Sequence, residues 1–174
     1  YMMSDTEEAL AAELNVSGAS AWAKLQGTVT SQLTVDFELA GKVQKLPMPA
    51  LINLHSHPDE SVRQRAYEAE MKAWETVREP LAAAMNGVKG TGNTLNKKRG
   101  RSDALHPAID MARIDRSTLE AMLGAMEASF PSFRKYYLAK AKRLGKDKLA
   151  WWDVFAPAGN VEGELAVWPG EGVL

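Results

Sequence analysis

Residues 54–77 read Leu54-His55-Ser56-His57-Pro58-Asp59-Glu60 followed by SVRQRAYEAEMKAWETV. Two chemistries compete for their opening. An H-x-H pair with two carboxylates behind it is the start of a metal site if the stretch is a strand, because residues two apart then share a face. On a helix the same spacing turns the rings about 200° apart. The continuation decides for the helix: Val62, Ala66, Ala69, Ala73, Trp74, Val77, Leu81 and Ala84 recur at three- and four-residue steps, the mark of one buried stripe. Ser56 can then cap the helix, Pro58 falls where a missing N–H costs nothing, and Asp59 can close a capping box. His55 and His57 are therefore expected as polar residues at a helix mouth. The remaining histidine, His106, precedes Pro107 at no metal-binding spacing, so no metal ligand is assigned in this chain.

Outward from this helix the chain is mainly α. Ser4-Asp5-Thr6-Glu7-Glu8 supplies a cap and N-terminal acids for a helix through Leu14. After Ser17-Gly18 a second helix from Ala19 to Gln32 carries Trp22, Leu25 and Val29 on one side. The run Leu33-Thr34-Val35-Asp36-Phe37-Glu38-Leu39 alternates with period two, and Ala40-Gly41-Lys42 turns it back into Val43 to Leu46, predicting one small β-hairpin over 33–46. Pro47 and Pro49 restart a short helix ending near Leu54. Pro80 is expected to kink the long helix that starts near Pro58. The tract from Gly87 to Arg101, GVKGTGNTLNKKRGR, reads as a loop or a fraying helix end. From Ser117 a last long helix runs to a stop at Gly145. It places Leu119, Met122, Leu123, Met126, Phe130, Phe133, Tyr137 and Leu144 inward, with Pro131 in mid-course. The expected architecture is an antiparallel long-helix bundle with one hairpin. Its core is formed by the helices starting near Pro58 and Ser117, with Trp74 and Phe133 among the buried residues.

Composition bounds the function. At 174 residues, 45% hydrophobic and 25% charged, the chain suits one well-buried domain. It has no cysteine, hence no disulfide framework or thiolate metal site, and a cytoplasmic location is the default expectation. The net charge of −1 hides a polarity: residues 1–87 hold seven Lys/Arg against twelve Asp/Glu, whereas residues 88–174 hold fourteen against ten. Lys89, Lys97, Lys98, Arg99 and Arg101, followed by Arg134, Lys135, Lys140, Lys142, Arg143, Lys146 and Lys148, could offer a positive face to nucleic acid or an acidic protein. Charge runs are more often solvated faces, and Gly90-Thr91-Gly92 lacks the phosphate-loop pattern. Nowhere is there an H-E-x-x-H helix or a G-x-S-x-G elbow, so no catalytic residue is assigned.

Four segments nevertheless occur in a telling order: SGASAWAKLQGTVTSQL (17–33), SHPDESVRQRAYEAEM (56–71), LNKKRGRSDALHPAIDMARIDRSTLEAML (95–123) and FRKYYLAKAKRLGKDKLAWWDVFAPAG (133–159), the last with a Trp-Asp-x-x-Ala-Pro element. Together they resemble the N-terminal part of oligoendopeptidase F, a branch of the thimet-oligopeptidase-like zinc metallopeptidases. The resemblance implies a largely helical, two-lobed enzyme enclosing a channel in which short peptides are cleaved. Residues 1–159 would be a helical N-terminal lobe that walls the channel, and 160–174 a stub, either the start of the catalytic lobe or a segment whose surroundings are missing. The chain opens at Tyr1, which fits a piece of something longer. In the family, zinc is held by H-E-x-x-H and a downstream glutamate, and the motif glutamate is the general base. None of these residues lies in this sequence, so zinc is implied for the parent enzyme and not for this chain, which alone is expected to be inactive. The implied partners are short peptides and the remainder of the catalytic domain; no membrane partner is expected, and nucleic acid is the less favoured reading. Candidate channel residues are Arg99, Arg101, Trp151, Trp152 and Asp153, because cations and aromatics at a cleft could meet a peptide. The alternative is a stand-alone helical binding module using the basic second half.

Overall fold

The computed structural model describes residues 1–159; the 160–174 stub lies outside the described residues. The chain is mainly α with one two-stranded hairpin. Helices α1 (Asp5–Ser17) and α2 (Ala19–Gln32) precede strands β1 (Thr34–Leu39) and β2 (Lys42–Pro47). Then come α3 (Met48–Asn53), a 3-10 turn (Leu54–Ser56), α4 (Glu60–Thr76) and α5 (Arg78–Lys98). The chain continues through α6 (His106–Ala112), α7 (Arg116–Arg143) and a second 3-10 turn (Trp151–Asp153).

Local chemistry sets the boundaries. Ser4 caps α1 through a capping box: its hydroxyl accepts from the Glu7 N–H and its own N–H donates to the Glu7 carboxylate. The hairpin closes on Ala40 and Gly41, both at positive φ, the two-residue turn whose twist matches the strands, with Leu39 paired to Lys42. Its inner face drops Phe37 into a core with Met48 and Leu51 of α3 and Val62, Ala66 and Ala73 of α4. The alanines of the α4 stripe let the hairpin and α3 approach closely, and Arg65 then lies over the Phe37 ring at 5.3 Å while donating to the Glu38 carbonyl. Trp74 is half-buried at the edge of this core and donates from its indole to Glu70.

A second layer is built from α2 against α5. Gly18 sits beside Thr91 and Trp22 beside Gly87, so the pair runs antiparallel. Trp22 packs so closely that a methyl group at Gly87 would lie 2.3 Å from its indole ring. This packing explains why the glycine-rich tract is helix and not loop: α5 continues through it to Lys98, tertiary contact overriding weak propensity. Gly100, at φ +70, ends the helix.

Three further expectations are corrected. The long helix does not run through a kink at Pro80 but breaks at Val77 (φ −118, ψ 11), one turn earlier. Pro80 lies in the first turn of the new helix, where its missing N–H leaves no bond unmade. The cap of α4 is Asp59, whose carboxylate accepts from Ser61 N–H at 2.8 Å, while Ser56 belongs to the preceding 3-10 turn. The core is made by the hairpin, α3 and α4, and α7 takes almost no part in it. Within α7 only Lys140 and Ala141 are buried, and Phe133, expected inside, is 56% exposed. Met122, Leu123, Met126, Phe130 and Tyr137 are exposed with it. Their spacing made a stripe, but nothing among the described residues covers it. No helix among them is long and apolar enough to cross a membrane.

Candidate functional site

The 54–60 stretch sorts into separate local roles. His57, extended after the 3-10 turn, accepts the Asp59 N–H at its Nδ1 (3.1 Å), while the Asp59 carboxylate separately caps α4. That cap, with Ser61 N–H as the leading donor, holds the Asp59 carboxyl below its ordinary range. His55 turns to α4, its Nε2 lying 3.1 Å from Glu70 but out of line for a hydrogen bond. The two rings are thus committed to different partners.

The chemistry of this region lies one turn further on. Arg63, on the flank of the α4 stripe, is almost wholly buried. One guanidinium nitrogen donates to the carbonyls of His57 and Pro58 at 2.7 and 2.8 Å, and the other donates to Asp153 at 2.7 Å. Asp153 is fully buried, and its second oxygen accepts from Lys146, which also binds Glu60. Burial pushes the Asp153 carboxyl up, but the bonds from Lys146 and Arg63 prevail and hold it below its ordinary range. Burial likewise pushes Lys146 down, and its two carboxylates prevail in the other direction. Lys140 adds a bond from its ammonium to the Val154 carbonyl at 2.8 Å. These ties fasten the C-terminal turn to the start of α4, and Ala156 of the Trp-Asp-x-x-Ala-Pro element is buried with Asp153.

The five channel candidates fall into two places. Trp151 is 71% exposed, beside a groove next to α7 with Tyr137, Leu138 and Val154. Trp152 is half-buried, its ring 5.9 Å from Tyr67, and Asp153 is sealed in the ion-paired cluster. Arg99 and Arg101 lie apart from these, at the C-terminal end of α5. Arg99 grips Glu8 of α1 at 2.9 and 2.6 Å, and this fork is the main reason the Glu8 carboxyl falls to about 2. Arg101 lies 3.0 Å from Asp110, and both arginines line an open groove between α5 and α6. Arg116 pairs with Asp103 in the same manner. Arg99 and Arg101 are thus each matched by a carboxylate within the fold, whereas Lys89, Lys97 and Lys98 form no ion pair among the described residues.

Arg63 was not singled out from sequence, Glu60 was noted only as a carboxylate behind the histidine pair, and Lys146 only as one cation of the basic second half. The available signal was a charge at 63 beside the apolar positions 62 and 66, where a helix facing a core leaves no water for it. Its partner, ninety residues away, left no trace in local pattern. Among the described residues no three His, Asp or Glu side chains group in a way that could hold a metal ion. Comparison with family models, with curated proteins and with solved structures finds no match to this chain.

Proposed function

We propose that the chain serves as the N-terminal helical lobe of an oligoendopeptidase-F-like zinc metalloendopeptidase, walling the channel in which short peptides are hydrolysed. The enzyme class comes from the sequence resemblance. Two of the segments that carry it, 56–71 and 133–159, meet in the Arg63–Asp153–Lys146–Glu60 cluster. They are thus the residues on which the lobe's own shape depends. The observation that carries the lobe role is α7. An exposed run of Met122, Leu123, Met126, Phe130, Phe133 and Tyr137 on one helix is a surface in need of a cover, and the remainder of the catalytic domain would supply it.

Among the described residues no group of side chains fits a catalytic zinc site, so no step of peptide hydrolysis is assigned to them. In this proposal the chain binds, shapes and excludes, and the hydrolytic chemistry belongs to an H-E-x-x-H lobe. Purified chain 1–174 should therefore hold no stoichiometric zinc in metal analysis and cleave no peptide. Joined to an H-E-x-x-H lobe it should support zinc-dependent hydrolysis. Peptide cleavage by the 174-residue chain alone, abolished by a chelator, would overturn this division of roles.

A further inference from the structure

Every residue of α7 from 120 to 139 is exposed, and no element among the described residues packs along it. A helix so bare is marginal in water, because most helical stability in proteins comes from a packed face. The sequence of α7 specifies the kind of cover that fits. Leu119, Leu123, Met126, Phe130, Phe133 and Tyr137 follow one another at steps of four, three, four, three and four residues. That strict alternation is the 3.5-residue repeat of a two-helix seam, narrower than the stripe of a helix laid on a globular core. Pro131, one residue past the seam position Phe130, falls on the outer side of such a pair.

Charges beside the seam select the partner helix. Glu120, Glu127 and Arg134 occupy one flank at seven-residue steps, and Met122, Ser129 and Tyr136 occupy the other. The acids lie toward the N-terminal end of their flank and the base toward its C-terminal end, so the flank is complementary to itself run backwards. In an antiparallel pair of copies Leu119 lies across from Tyr137, Leu123 from Phe133 and Met126 from Phe130, and all six seam residues are used. The same register brings Glu127 of each copy against Arg134 of the other and Met122 against Tyr136, with Ser129 meeting its counterpart at the two-fold axis. Within one helix Glu127 and Arg134 lie about 10 Å apart, too far to pair with each other. Neither forms an ion pair among the described residues. A parallel pair would set Glu127 beside Met122 and Arg134 beside Ser129 and would gain no ion pair.

We propose that α7 is a self-recognition face through which two copies of this chain pair antiparallel, held by the apolar seam and by two Glu127–Arg134 ion pairs. The same patch serves on both copies, so the contact closes at two. It runs along about 27 Å of helix. A contact of that length is at the small end of specific interfaces and implies a Kd on the order of 10–100 µM. In dilute solution α7 is therefore bare, and in concentrated solution it is paired. A catalytic lobe seated on α7 competes with the second copy for the same residues. The pairing itself rests on the sequence of α7 and not on the peptidase proposal.

Sedimentation of the whole 174-residue chain from about 1 µM to about 500 µM tests this, with monomer expected at the low end and dimer at the high end. Glu127→Arg and Arg134→Glu each set like charges across the seam and should weaken pairing by about tenfold or more. Combined, they restore opposite charges and should return the Kd to within about threefold of the unaltered chain. Phe130→Ser should abolish pairing, and circular dichroism checks that all four variants keep their helix. Monomer at every concentration, a dimer indifferent to both single reversals, a double variant no better than either single one, or a dimer that Phe130→Ser leaves intact would each overturn the assignment. The two proposals separate in a joined enzyme, which should stay monomeric because its lobe covers α7. A joined enzyme that still pairs through Glu127 and Arg134 removes the lobe from α7 and upholds the self-recognition face. A 174-residue chain that never pairs removes that face and leaves the lobe role standing.

Discussion

The start of α4 and the middle of α7 are opposite outcomes of similar sequence pattern. Both carry apolar residues at three- and four-residue steps and both are capped by an aspartate, Asp59 and Asp115, that accepts a backbone N–H. In α4 the stripe is covered by the hairpin and α3, and even the arginine on its flank is buried, with both terminal guanidinium nitrogens hydrogen-bonded. In α7 the stripe is bare. Periodicity states which face of a helix is apolar; whether anything covers that face depends on elements far off in sequence. The bare face is the more informative of the two, because it is the surface that the proposed lobe role requires another domain to cover.

The sharpest way to break this contrast is to remove the charge at its buried end. Asp153→Ala strands Arg63 and Lys146 in a dry site and should destabilise the chain by about 3–5 kcal/mol in urea unfolding. A loss below about 1 kcal/mol, the range of surface ion pairs, would mean that the cluster is wetter than its burial indicates. Leu51→Ala, at a fully buried side chain, should cost about 2–5 kcal/mol. Gly87→Ala forces the Trp22 ring off α5 and should cost about 1–3 kcal/mol, seen as a lowered Tm. At the other end of the scale, Phe133→Ser should change the stability of the chain by no more than about 0.5 kcal/mol, although the residue is a large aromatic in a helix. A large loss there would erase the distinction between the two regions.

Acidity sharpens the same comparison. Asp153 and Glu8 titrate below their ordinary range in the folded chain, so each contributes stability that is full above the unfolded value and is lost as pH falls through the folded one. For Glu8 that window runs from 4.5 down to about 2. Lys146 is raised, so its contribution is full below the ordinary lysine value of 10.5 and is lost as pH rises above it. Stability followed by denaturant titration should therefore fall on both sides. Asp153→Asn should flatten the acid side more than any substitution on α7.

How much of this was legible in the sequence follows from the range of each interaction. The hairpin was readable because alternation and a Gly-containing turn are local. The start of α1 was readable because its Ser4 cap acts within one turn, although the helix runs on to Ser17 past the expected Leu14, and the stop of α7 was readable because Gly145 takes a positive φ. The glycine-rich stretch of α5 was not, since its helix is held by Trp22 and α2, some sixty residues away. Among the site candidates, Trp152 and Asp153 drew notice as a motif, but their meaning comes from Tyr67 and Arg63 on α4. Arg99 and Arg101 drew notice as cations, while Glu8 and Asp110, which neutralise them, were ordinary acids on other helices.

The central claim is that α7 is a docking face and α4 a finished interior. Hydrogen exchange followed by mass spectrometry tests it directly. In the 174-residue chain, amides of residues 116–139 should exchange far faster than those of 62–74, and joining an H-E-x-x-H lobe should slow the α7 amides while leaving those of α4 unchanged. Equal protection of the two helices in the chain alone, or α7 exchange unaffected by the second lobe, would contradict it.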